Sequence, residues 1–143
     1  VKIAAASSFL AVLLLGTAAH AESVPACACA PAADHAVKEL GRHQSAFAGK
    51  VIGVEGERVT FEVARVWKGP REKALTLTST PRPGCTFAFE VGKDYVVFAD
   101  GRKDALSTDV CSPNRELADA GRAVKQLDLH AGYASSPLRV PAR

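Results

Sequence analysis

The stretch FAGKVIGVEGERVTFEVARVWKG, residues 47–69, decides the fold. Val59, Phe61 and Val63 alternate with polar neighbours, the period of a strand with one buried face. Residues 47–54 read as a first strand, Glu55-Gly56 as a tight turn and residues 58–67 as a second strand, which together make a β-hairpin. Lys68-Gly69-Pro70 ends it, since proline cannot donate to a ladder.

Downstream, Leu75 and Leu77 alternate with Thr76 and Thr78 in a third strand that Pro81 and Pro83 close. Residues 85–91 read as a fourth strand, followed by the turn Gly92-Lys93-Asp94. Residues 95–99 form the fifth, the most continuously apolar and therefore the most buried. The segment 106–111 is a loop or short edge strand.

Two helices flank these strands. Asp34 is the expected N-cap of the first, over residues 35–43, with Val37, Leu40 and Gln44 on one face. Ser112-Pro113 opens the second as an N-cap followed by proline, and Leu117, Ala120, Val124 and Leu127 make its apolar stripe. From these elements we expect a mainly β domain, a small five-stranded barrel of the oligonucleotide/oligosaccharide-binding (OB) type with two flanking helices. A two-sheet sandwich is the competing architecture.

Upstream lies a different composition. Lys2 precedes an apolar run at 3–19, and Ala19-His20-Ala21 has the small-x-small pattern of a cleavage site, so residues 1–21 read as a secretory signal peptide. Val1 then reads as an alternative start. The run is shorter than the ~20 apolar residues needed to cross a bilayer, so no membrane span is expected after cleavage. The expected organisation is a signal peptide at 1–21, one domain at 22–130 and a disordered tail at 131–143, whose Gly132, Ser135, Ser136, Pro137 and Pro141 offer little to bury. Location is secreted or periplasmic. A lipoprotein acylated at Cys27 is the minor alternative, because Ala26-Cys27 resembles an acylation site.

Charge and motifs exclude several functions. The 143 residues are 48% hydrophobic and 23% charged, a globular balance. Losing Lys2 from the 18 basic residues leaves an excess of only two over the 15 acidic ones, too little to mark nucleic acid or an anionic membrane as partner. Phe61, Trp67, Tyr95 and Phe98 lie in apolar strands, which makes them core residues and not base-stacking platforms. No His-Glu-x-x-His, Gly-x-Ser-x-Gly or glycine-rich phosphate loop occurs, so no enzymatic activity, catalytic residue or cofactor is expected. His35 and His43 are read as solvated, and the domain as monomeric.

All four cysteines, Cys27, Cys29, Cys85 and Cys111, follow the signal segment, and an even count in an exported chain reads as a disulfide framework. A bond between Cys27 and Cys29 would close a strained ring, so the bonds run from this pair to Cys85 and Cys111, in either arrangement. Cys27, Cys29 and His35 have a conceivable metal spacing, yet thiolate sites compete poorly with oxidation, and no metal is expected. The single residue between Cys27 and Cys29 also differs from the two of thioredoxin-like redox sites.

Taken in order, Cys27-Ala28-Cys29, a helix, Phe47-Ala48-Gly49-Lys50-Val51, Val63-Ala64-Arg65-Val66-Trp67-Lys68-Gly69, and then Cys85 and Cys111 resemble the netrin-like domain of tissue inhibitors of metalloproteinases, most closely its bacterial members. The resemblance runs from Cys27 to about Leu127. It implies a five-stranded barrel, the pairing of Cys27 with Cys85 and Cys29 with Cys111, and a protein partner. It also implies a contact surface formed by Cys27, Ala28, Cys29 and Ala30, to which the exposed turn at 68–73, with Lys68 and Gly69, is a candidate addition. In the animal inhibitors the first cysteine starts the mature chain, and its α-amine and carbonyl chelate the zinc of a metalloprotease. Here cleavage after Ala21 leaves residues 22–26 ahead of Cys27, whose nitrogen is then an amide with no lone pair to give. The expected function is therefore an interaction module for a protein partner, with zinc-metalloprotease inhibition as the alternative.

Overall fold

The computed structural model describes residues 27–79, 84–133, 135–136 and 138–140, and the expected signal segment at 1–21 lies outside them. The hairpin is present as β1 (Ser45–Glu55) and β2 (Arg58–Lys68). It turns on Gly56 and Glu57, with Gly56 at φ 61°, a left-handed conformation that costs glycine nothing. The other strands are β3 (Ala74–Ser79), β4 (Asp94–Ala99), β5 (Leu106–Thr108) and β6 (Arg115–Glu116). Helix α1 spans Ala36–Arg42 and α2 spans Gly121–Ala131.

Among the described residues the molecule is mainly β, one six-stranded sheet in the order β5-β3-β2-β1-β4-β6, curled into a half-barrel. Pairing is antiparallel except between β3 and β5, which run parallel from Leu77 opposite Leu106 to Ser79 opposite Thr108. The β5 edge curls back toward β4. Asp100, just past β4, exchanges two backbone hydrogen bonds with Ser107 at 2.9 and 2.8 Å.

Strand alternation sorts the apolar residues into two cores. Facing inward, Phe47, Val51, Val59, Phe61, Leu75, Leu77, Tyr95, Val97 and Leu106 meet Phe89. On the outer face, Ala46, Ala48, Trp67, Val96 and Phe98 lie under Leu40 of α1 and Val124 and Leu127 of α2. β4 feeds both, Tyr95 and Val97 inward and Val96 and Phe98 outward, and from Tyr95 to Ala99 no residue is exposed.

Several expectations are corrected. Residues 85–91 are not a strand. The ladder position beside β1 is held by β4, from Ser45 opposite Ala99 to Lys50 opposite Asp94. Phe87 and Phe89 still alternate inward, their rings 4.6 Å apart, while the Phe87 carbonyl accepts from the Ser79 hydroxyl at 2.6 Å. Alternation there reports burial without pairing.

Nor does Ser112 open the second helix. Asn114 accepts from Phe98 N–H at 2.8 Å and donates to the Thr108 hydroxyl at 2.8 Å, which holds the chain extended so that Arg115 and Glu116 pair with Val96 and Tyr95. A 3-10 turn at Leu117–Asp119 follows before α2 begins. The predicted stripe of Leu117, Ala120, Val124 and Leu127 is nonetheless buried. At α1 the N-cap is His35, whose Nδ1 accepts from Val37 N–H, while Asp34 holds Lys38 at 2.7 Å. Gln44 is exposed; Glu39 and Leu40 are the buried residues of α1. Beyond α2, Tyr133, Leu138 and Val140 lie partly buried against the outer core.

Candidate binding site: the disulfide-pinned arm

The segment 27–33 has no ladder or helix of its own, and Ala28, Cys29, Ala30, Pro31 and Ala32 are exposed. Two disulfides fix it. Cys27 joins Cys85 with Cα atoms 5.3 Å apart, and Cys29 joins Cys111 at 5.1 Å, the pairing that the resemblance implies. The receiving segments are tied to each other, since Val110 N–H donates to the Cys85 carbonyl at 2.8 Å. All four described cysteines are therefore bonded.

The arm's other end rests on a buried carboxylate. Glu39, 4% exposed, accepts from Ala33 N–H and sits 3.3 Å from Arg42 Nη1, which in turn donates to the Pro31 carbonyl at 3.1 Å. His43 extends the chain of contacts, with Nε2 3.7 Å from Glu39 and Nδ1 3.0 Å from Asp100. Asp100 also accepts from Gln44 N–H at 3.1 Å. The expectation that His43 is solvated is thus corrected: its side chain is 14% exposed and its ring lies 5.7 Å from that of Phe98. His35 is exposed. The Lys38 ammonium beside Asp34 holds that carboxyl below its usual range.

Chemically, the arm offers a rigid ridge of small side chains and backbone amides with no ionisable group between Cys27 and Ala33. Beside it a hollow of about 250 Å³ is lined by His43, Asp100, Ser107, Thr108, Asp109, Cys111 and Ser112. Among the described residues no cluster of three or more His, Cys, Asp or Glu is arranged to hold a metal ion. The conceivable set of Cys27, Cys29 and His35 is spent on disulfides and on the α1 cap.

Lys68 and Gly69 have other described contacts. Lys68 Nζ donates to the Leu40 and His43 carbonyls, which satisfies the C-terminal end of α1. Gly69, at φ 95°, leaves no room for a Cβ against the Ser45 hydroxyl. Arg71 donates to Tyr133 Oη at 3.1 Å, and Glu72 pairs with Lys103. Glu39 is the supporting residue that sequence reading missed, because an acidic residue in a short helix carries no mark of burial.

No helix among the described residues is long and apolar enough to cross a membrane. No protein-family model matches the chain, and no curated protein matches it.

Proposed function

We propose that the chain is an exported, disulfide-bonded, non-enzymatic module that binds a protein partner through the arm at 27–31. The observation that carries this reading is the arm itself, apolar and exposed yet fixed by two disulfides and by Glu39. A pre-organised segment loses little conformational entropy on binding, which favours recognition by a rigid surface. The scaffold we assign is the netrin-like barrel of OB type. Its support is the succession β1-β2-β3-β5 with a parallel last pair and the Asp100–Ser107 bridge that returns toward β4. Two disulfides fit an oxidising compartment, secreted or periplasmic.

The alternative is inhibition of a zinc metalloprotease, and the exposed, clamped Cys27-Ala28-Cys29 segment favours it. Chelation would require trimming to Cys27, because only a free α-amine, with a pKa of about 8, supplies a nitrogen lone pair. Sequencing the mature N-terminus separates the readings. A start at Glu22 supports the module, a free amine on Cys27 supports the inhibitor, and an acylated Cys27 makes the protein a lipoprotein. Inhibition constants of both forms against a panel of zinc proteases complete the test. Potent inhibition by an α-acetylated Glu22 form would sink chelation as the mechanism.

A further inference from the structure

A second surface lies away from the arm, where β2 outruns β3. The β2–β3 ladder covers only Arg58 to Glu62, and one further hydrogen bond, from Val63 N–H to the Lys73 carbonyl, closes it at 2.8 Å. Beyond that point the chain continues to Lys68 and returns through residues 69–73. Between the two passes lies an open groove of about 510 Å³. It is lined by Val63, Ala64, Arg65 and Val66 of β2, by Arg71 to Lys73, and by Tyr133 with Ser136.

Charge in this groove is one-sided. Glu72 is neutralised by Lys103, and Asp128 is 6% exposed and lies 2.9 Å from Arg65 Nη1. Arg71 and Lys73 are exposed and carry no ion pair among the described residues. The cations are also ordered. The Arg65 guanidinium stacks 4.6 Å from the Tyr133 ring centre, and Arg71 is held on the Tyr133 hydroxyl, which itself donates to the Val66 carbonyl at 3.1 Å. A two-fold contact of this groove with the same groove of a second copy would bring the same cations against each other, whereas an anionic segment gains at each position.

We propose that this groove docks an extended acidic segment of a protein partner, with Arg71 and Lys73 engaging its carboxylates. Tyr133, against which Arg65 stacks, is the positioning residue that holds Arg71. The surface is distinct from the arm, so loss of either leaves the other to be tested.

The test uses fluorescence anisotropy with a labelled octapeptide of alternating Glu and Thr, set against one of alternating Lys and Thr. The acidic peptide binds, and the basic one does not. The double reversal Arg71→Glu/Lys73→Glu weakens binding by about tenfold or more, while Arg122→Glu/Lys125→Glu on α2 makes the same change in net charge and shifts it less than about twofold. Raised salt weakens the parent toward the reversed variant. Melting curves establish that each variant is folded, and Arg71→Gln/Lys73→Gln replaces the reversal if it is not. Equal weakening by the α2 pair, equal binding of the basic peptide, or no binding of the acidic one would overturn the proposal. A dimer dissolved by the Arg71 and Lys73 changes would assign the groove to a second copy and overturn it too.

Discussion

The inner and outer cores lie on opposite faces of the same sheet and are built by different rules. Within the curl, Phe47, Phe61, Phe89 and Tyr95 make edge-on contacts, with ring centres 5.0 to 5.3 Å apart. Beneath the helices the apolar residues surround a polar network instead. Trp67 Nε1 donates to Asp128 at 2.7 Å, Asp128 also meets Arg65, and Leu138 N–H donates to its second oxygen at 3.3 Å. The contrast teaches that the inner core needs only alternation, whereas the outer core also needs particular partners, because a buried carboxylate left alone is costly.

The arm joins these two regions, and cutting it should have the largest effect. Cys85 heads the segment that delivers Phe87 and Phe89 inward, while the arm leads into α1 on the outer side. The bonds close loops of 58 and 82 residues, each worth about 4 kcal/mol in the chain-entropy model. Replacing all four cysteines with alanine should therefore remove most of a typical domain's total of roughly 5–15 kcal/mol. Urea titration should show no cooperative transition in the variant, and a midpoint close to the parent's would mean that the two cores stand without the arm.

Next come single truncations in each core. Phe61→Ala removes a ring packed against both Phe47 and Phe89 and should cost about 3–5 kcal/mol. Leu127→Ala, at a fully buried position on the sheet-facing side of α2, should cost about 2–5 kcal/mol. Denaturant unfolding measures both. A Phe61 loss well below that of Leu127 would reverse the comparison and make the helical side the principal core.

The two cores also differ in how far their sequence announces them. Val59 and Phe61 declare an inward face by spacing alone, whereas the unbroken apolar run from Tyr95 to Ala99 marks β4 as buried without saying which of its residues face inward. The same rule misreads residues 85–91, because alternation reports which way a side chain points and not whether its backbone finds a ladder. On the outer side, Leu117, Ala120, Val124 and Leu127 are legible as a stripe, but the residue that deflects the chain before α2 and the carboxylate buried within α2 are not. Asn114 acts through Phe98, 16 residues away, and Asp128 through Trp67, 61 residues away. Neither partner is visible in a local window. In the site, the cysteines announce the arm, while its support by Glu39 depends on where the arm returns to α1.

Trp67→Phe sharpens the contrast with a smaller effect. The ring volume largely survives, but Asp128 loses the indole donor and should destabilise the fold by about 1–3 kcal/mol. Asp128→Asn should cost a similar amount, and the double variant less than the sum, since both changes break one network. Strict additivity in a double-mutant cycle would show that the outer core is held by packing alone.

The smallest expected effect concerns pH and returns to the inner core. Burial pushes the Tyr95 phenol above its usual value of 10.0, although Glu90 N–H donates to its oxygen at 3.2 Å and opposes the shift. A folded chain that holds this proton more tightly than the unfolded chain has its full contribution below pH 10.0 and loses it as pH rises through the folded value. Lys93 shifts upward as well, through its hydrogen bonds to Glu116 and Glu90, so its contribution fades in the same alkaline direction. Tyr95→Phe removes the phenol and keeps the ring against Phe89. Its melting temperature should therefore fall less steeply than the parent's as pH rises beyond 10.0. Parallel curves would mean that the phenol ionises as freely in the folded chain as in the unfolded one. The inner core would then admit water at Tyr95, and the outer core would be the drier of the two.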